Sequence, residues 1–179
     1  MSVQDQSAAV RDARAADAAA CAAVYAPYVR DTAISFELEA PDAAEMGRRI
    51  EAAFESHAWL VLEHGGDVVG YAYGARLHSR PAYRWSCEVS VYVETGRRRT
   101  GAGRALYEAL FERLAARGFR NVIAGMTVPN EASAGLHRSM GFRPIGTYRN
   151  IGYKLGRWHD VAYFQREIGD PGHPPAEPH

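Results

Sequence analysis

Lysine is almost missing from this chain. Of its 21 basic residues only Lys154 is not arginine. The bias assigns no function by itself, although arginine is the better fork for carboxylate and phosphate. Net charge is missing too: 21 basic side chains face 21 acidic ones. A balanced surface argues against nucleic acid or an acidic membrane as the partner. Cysteine is scarce, with only Cys21 and Cys87. Cys21 falls in an alanine-rich helical stretch and Cys87 on the apolar side of a predicted strand. Both read as buried reduced thiols, which suits the cytoplasm. Cysteines and histidines show no metal-ligand spacing. No signal-like or membrane-length apolar run is present, and no internal repeat.

What is present sits mostly between Arg84 and Phe142. From Arg84 to Tyr92 apolar and polar residues alternate strictly. Trp85, Cys87, Val89 and Val91 point one way; Ser86, Glu88, Ser90 and Tyr92 point the other, as a strand requires. A basic, glycine-bearing loop follows, then Leu106, Leu110 and Leu114 at helical spacing. A helix that opens just past arginines and glycines can bind phosphate through free N–H groups and its dipole. The alternative is a glycine-rich turn with a solvated basic face. The spacing is neither that of a Walker loop nor that of a dinucleotide fingerprint. It reads Arg98-x-x-Gly101-x-Gly103. Further on, Asn130 is a fitting N-cap, Glu131 complements the dipole, and Gly141 is a natural C-cap. Ser133, Leu136 and Met140 are expected to share one face of that helix.

These segments resemble the signatures of the GNAT family of acyl-CoA N-acyltransferases: the Arg98–Gly103 loop and the Asn130-to-Gly141-Phe142 helix. Three further stretches, Arg80 to Val93, Val128-Pro129-Asn130 and Gly152 to Val161, resemble the phosphinothricin N-acetyltransferase branch. That branch also includes enzymes acting on methionine sulfoximine and sulfone. The similarity runs from about Val10 to Ile168.

The order of elements reads as α/β. A strand near Ala9–Arg14 leads into a helix over Asp17–Arg30. Thr32–Leu38 is extended or loop, and Asp42 caps a helix bearing Met46, Ile50 and Phe54. Trp59–Leu62 and Val68–Tyr73 form a hairpin around Gly65-Gly66-Asp67. The Val122–Met126 strand precedes the Asn130 helix, and two last strands flank a turn at Gly156. Residues 1–8 are expected to be flexible, 9–168 to form one domain, and the proline-rich 169–179 to be a disordered tail. The resemblance implies the GNAT fold: a mixed, mostly antiparallel sheet with a splayed strand and helices on both faces.

The resemblance also implies a reaction, acetyl transfer from acetyl-CoA, as cosubstrate and without a metal, to an amine. Glu88 is the candidate base. An ordinary carboxylate (pKa ~4.3) is a poor base for an ammonium of ~8–10, so it needs burial or a water relay. From alternation alone it would be an exposed strand carboxylate. His137 stands where many members carry a tyrosine that protonates the departing thiolate; it either does the same or only hydrogen-bonds. Backbone groups of Val91, Tyr92 and Val93 would hold the pantetheine arm, with the Val91 N–H as an oxyanion donor. Arg98, Arg99, Thr100, Gly101, Ala102, Gly103 and Arg104 would hold the pyrophosphate, with Asn130 and Ser139 nearby. Arg76, Arg80 and Tyr83 are candidates for the acceptor carboxylate, and Phe36-Glu37 for closing the acceptor pocket. The implied acceptor is a small amino-acid analogue such as phosphinothricin or methionine sulfoximine, the implied assembly a homodimer. The alternatives are another amine (a polyamine, an antibiotic or a protein N-terminus) or a non-catalytic acyl-CoA sensor. The sensor is disfavoured because both Glu88 and His137 are present.

Overall fold

The computed structural model describes residues 8–97, 100–170 and 172–179. Strands and helices run in the order β1 (Ala8–Asp12), α1 (Ala18–Asp31), α2 (Ala43–Ser56), β2 (Trp59–His64), β3 (Asp67–Arg76), β4 (Ser86–Val93), α3 (Ala102–Ala116), β5 (Asn121–Val128), α4 (Glu131–Ser139), β6 (Arg143–Lys154) and β7 (Arg157–Glu167). They build a seven-stranded sheet of order β1-β2-β3-β4-β5-β7-β6. Neighbours are antiparallel except β4 and β5, which run parallel. A parallel pair needs a crossover, and α3 supplies it.

Helices cover both faces. On one, Cys21, Val29, Met46 and Ile50 of α1 and α2 pack on Trp59, Val61 and Tyr71. On the other, Leu106, Tyr107, Leu110 and Leu114 of α3 pack on Leu60, Cys87, Val89 and Val122. The period-two pattern of β4 therefore feeds two cores at once. Cys87 and Val89 are buried under α3, while Ser90 and Tyr92 face α1 and α2. Arg84 and Trp85, expected within this strand, precede it after a short helical turn over Pro81–Tyr83. Both cysteines are buried and free, and burial pushes each thiol up to about 12.

Local signals placed the helix ends. The Asp42 carboxylate accepts from the Glu45 N–H at 2.7 Å, and Asn130 Oδ1 from the Ser133 N–H at 3.1 Å. Gly141 closes α4 with φ +80°. Met140, just past the end of α4, is buried. Ala134 and His137 turn inward from the helix, while Ser133 and Leu136 are only partly buried. Histidine fits there because its two nitrogens find partners.

Where the sequence predicts a loose tail, residues 172–179 lie along the sheet's end. Glu177 forms an ion pair with Arg84 at 2.6 Å, and Trp85 Nε1 donates to the Ala176 carbonyl at 2.8 Å. Arg117 Nε donates to the His179 carbonyl at 2.7 Å. These partners are cations and an indole brought to the tail by the fold, so composition alone did not reveal them.

Candidate active site

The sheet is split along the middle of β4. Its pairing with β5 covers only Ser86↔Asn121, Cys87↔Val122 and Glu88↔Ile123. Both strands continue, β4 to Val93 and β5 to Val128, without further pairing. On its other edge β4 keeps β3 as far as Val93↔Gly70. Val89 to Val93 thus lack a β5 partner. A side chain takes over part of the ladder, since Tyr28 donates to the Val93 carbonyl; on β5, Thr127 Oγ1 donates to the Ala33 carbonyl of the loop after α1 at 2.6 Å.

The gap opens into a cavity of about 630 Å³. Tyr28, Ile34, Val91, Val93 and Arg97 line one part, Gly101 to Arg104 the base, and Asn130 to Ser133 with Gly135 and Leu136 the far wall. Gly101 is the N-cap of α3, with φ +84° and no side-chain cap. A left-handed residue here favours glycine and leaves first-turn N–H groups facing the cavity. Gly103 has a different reason: a Cβ there would sit 3.1 Å from Leu136 Cδ2, so it lets α3 and α4 approach. Thr100 Oγ1 donates to the Arg97 carbonyl at 2.8 Å. Arg104 reaches across to Ser139 Oγ at 2.9 Å, which places Ser139 on the α3–α4 seam. Arg98 and Arg99 lie outside the described residues.

Glu88 is the last β4 residue paired to β5, so it sits at the apex of the split. It is half-buried. No hydrogen bond or ion pair to its carboxylate occurs among the described residues. Burial pushes its pKa up, opposed by the charge of His78.

His137 is differently placed. It is buried, ringed by Tyr107, Phe142 and Phe164. Its Nδ1 lies 2.7 Å from the Ser133 carbonyl, which can only accept, so Nδ1 carries the proton. Nε2 then accepts from the Tyr107 hydroxyl at 3.2 Å. Burial lowers its pKa, opposed by the Ser133 bond. The imidazole is a neutral core group behind the α4 wall, not a lining residue of the cavity.

Of the expected acceptor residues, Arg76, Arg80 and Tyr83 line one space, while Phe36 and Glu37 lie apart from it. Arg80 and Tyr83 are exposed and line a space of about 280 Å³ closed by Pro178 and His179. Tyr25, Arg49, Trp59 and Tyr73 line another of about 340 Å³ between α2 and β3. Arg76 borders both. Glu37 is already engaged: Arg49 donates to both its oxygens at 2.7 and 3.0 Å, and Tyr25 donates at 2.9 Å. Those bonds hold its carboxyl below the usual range. Phe36 is partly exposed, its ring against Gly152. Sequence reasoning missed Tyr28, Ile34, Arg49, Arg97 and Tyr107. Tyr28 reads as core from its helical spacing, and Arg49 is one of many arginines, so no local signal marked either. Among the described residues no group of three or more His, Cys, Asp or Glu could hold a metal.

A family described as an acetyltransferase (GNAT) domain matches residues 10–162. A phosphinothricin N-acetyltransferase of Streptomyces viridochromogenes is 36% identical over 97% of this chain and 95% of its own length. An L-methionine sulfoximine/L-methionine sulfone acetyltransferase of Pseudomonas paraeruginosa is 35% identical over 90% of this chain and 95% of its own. The solved phosphinothricin acetyltransferase of Sinorhizobium meliloti, in complex with AcCoA, superposes with a TM-score of 0.88. It is 34% identical, covering 96% of this chain and 93% of that one. On the matched span, the identities and the shared fold, this chain belongs to the GNAT acetyltransferase family.

Proposed function

We propose that this protein transfers acetyl from acetyl-CoA to the α-amino group of a small amino-acid analogue, with Glu88 as general base. The observation that carries the reading is the position of Glu88, an unpartnered carboxylate with a raised pKa at the apex of the split. The relatives' substrates support the class of acceptor.

The cavity suits a long, flexible, anionic cosubstrate. The free edge of Val91 to Val93 would pair with amide groups of the pantetheine arm as a neighbouring strand would. The N–H groups of the first turn of α3 would take the pyrophosphate, with Arg97 and Arg104 beside them. Bound acetyl-CoA supplies an activated acyl group. The chain's own task is to free the amine. An amino acid arrives as an ammonium, and Glu88 takes its proton, directly or through water. Burial brings the carboxylate closer to the amine in proton affinity, against the smaller opposing charge of His78. The Val91 N–H, unpaired on that edge, faces the developing oxyanion. His137 acts as a positioning residue: it anchors α4, whose Ser133 and Leu136 form the cavity wall. Arg76 is the favoured clamp for the acceptor carboxylate, since it borders both spaces.

The homodimer is part of this reading. Strand β6 is an edge, and with the turn to β7 it exposes Ile145, Tyr148, Ile151, Tyr153, Leu155 and Trp158. An apolar edge strand of that size calls for a cover, and a second copy of the same hairpin would supply it. A cytoplasmic setting fits the two reduced thiols.

The test is a competition assay with acetyl-CoA and four amines: phosphinothricin, methionine sulfoximine, a polyamine and a peptide N-terminus. The first two are expected to lead on kcat/KM. If the polyamine or the peptide leads, the acceptor assignment fails while the chemistry stands.

A further inference from the structure

The only lysine of the chain is buried, 6% exposed, at the end of β6. Its Nζ donates to two backbone carbonyls of distant segments, Val29 at 2.6 Å and Ser35 at 2.7 Å. Val29 is in the last turn of α1, where carbonyls lack helical partners and the dipole favours a cation. Thr32 Oγ1 caps the neighbouring Tyr28 carbonyl at 2.6 Å. Ser35 opens the segment that carries Phe36 and Glu37. The Lys154 carbonyl is itself bonded to His159 Nε2 at 2.9 Å, which fixes the hairpin end of the link.

That segment has no regular structure, and it separates two cavities. Ile34 lines the one beside α3. Glu37 is held by Tyr25 and Arg49, which line the one between α2 and β3. Tyr25 also shares a hydrogen bond with Ser35 Oγ at 2.6 Å. Phe36 lies against Gly152 so closely that a Cβ on the glycine would overlap its ring. The segment is therefore pinned from the β6–β7 hairpin at two points, by an ammonium and by an aromatic ring on bare backbone. A guanidinium is planar and wider than an ammonium, so the arginine used elsewhere would not fit between two carbonyls in this buried space.

We propose that Lys154 is a positioning residue for the acceptor: it fixes residues 32–38 as the partition between the coenzyme cavity and the acceptor side. The inference rests on the acetyltransferase reading above. Lys154→Met keeps the apolar stem and removes the donors. Its acceptor KM is expected to rise about tenfold or more, with kcat and the acetyl-CoA KM within about twofold, because misplacement of a binding wall acts on acceptor binding. Amide hydrogen exchange over residues 32–38 should quicken while that of α3 and β5 stays unchanged. Gly152→Ala, which displaces Phe36 without touching the lysine, should give the same split, and it replaces Lys154→Met if that variant does not fold. An unchanged acceptor KM, or a uniform loss in both KM values and kcat, overturns the proposal. Exchange over 32–38 that stays at the wild-type rate overturns it regardless of substrate. If the wild-type protein acetylates none of the amines, the functional reading fails, and exchange alone decides whether Lys154 holds the segment.

Discussion

Two ionisable side chains flank the split, Glu88 on β4 and His137 behind the α4 wall, and the fold treats them in opposite ways. On the β4 side, Glu88 is half-buried with no hydrogen-bond partner among the described residues. On the α4 side, His137 is fully enclosed with both nitrogens satisfied, by the Ser133 carbonyl and the Tyr107 hydroxyl. A buried polar group that is partnered stabilises the fold; one left without partners is costly. On the proposed reading the Glu88 site bears that cost where a proton acceptor is needed, and the His137 site has none to bear. Burial alone does not mark a catalytic group. Burial without a partner, at a gap in the sheet, is what the proposal for Glu88 rests on.

The sharpest break in this comparison is Glu88→Gln. Loss of a general base costs about 10²–10⁴-fold in kcat, roughly 3–5 kcal/mol of barrier. Steady-state kinetics should show that fall with the acetyl-CoA KM little changed. Next is His137→Ala, which removes a large buried side chain and leaves the Tyr107 hydroxyl unpaired. Urea unfolding should show a loss of about 2–4 kcal/mol. In the folded fraction, kcat should fall far less than in Glu88→Gln. Equal falls in kcat would erase the distinction between the two walls.

The smallest effect concerns pH and stability. Glu88 has a raised pKa in the folded state, so the folded chain holds that proton to higher pH than the unfolded one. Its contribution to stability falls as pH rises from the ordinary carboxylate range to the raised value, and the deficit persists at neutral pH. His137 has a lowered pKa, so its contribution falls as pH drops from the ordinary imidazole value towards the lowered one. Glu88→Gln should thus raise the Tm slightly at neutral pH and by less near pH 4. A lower Tm at neutral pH would mean that the carboxylate has a stabilising partner after all.

Much of the fold was legible because its signals are local. Strand alternation placed Cys87 and Val89 in the core, Asp42 and Asn130 capped helices as their side chains predict, and Gly101 and Gly141 fell at left-handed positions. The loop that opens α3 was legible for the same reason, since it is a contiguous motif. The acceptor side was not. Arg49 joins Glu37 across 12 residues, and Lys154 joins Ser35 across 119, so only tertiary contact brings them together. The expectation at His137 came from the resemblance, which left open a group that only hydrogen-bonds; the Ser133 carbonyl one turn earlier and the Tyr107 hydroxyl make the core an acceptable place for it.

The most direct test of the account is the pH dependence of kcat/KM for the preferred acceptor, in the wild-type protein and in Glu88→Gln. The account predicts an acidic limb in the wild type whose apparent pKa lies above the ordinary carboxylate value of ~4.3, with activity rising as Glu88 loses its proton. In Glu88→Gln that limb should vanish, leaving a much lower rate governed only by the amine. An identical limb in both proteins, at undiminished rate, would contradict the claim that Glu88 is the base.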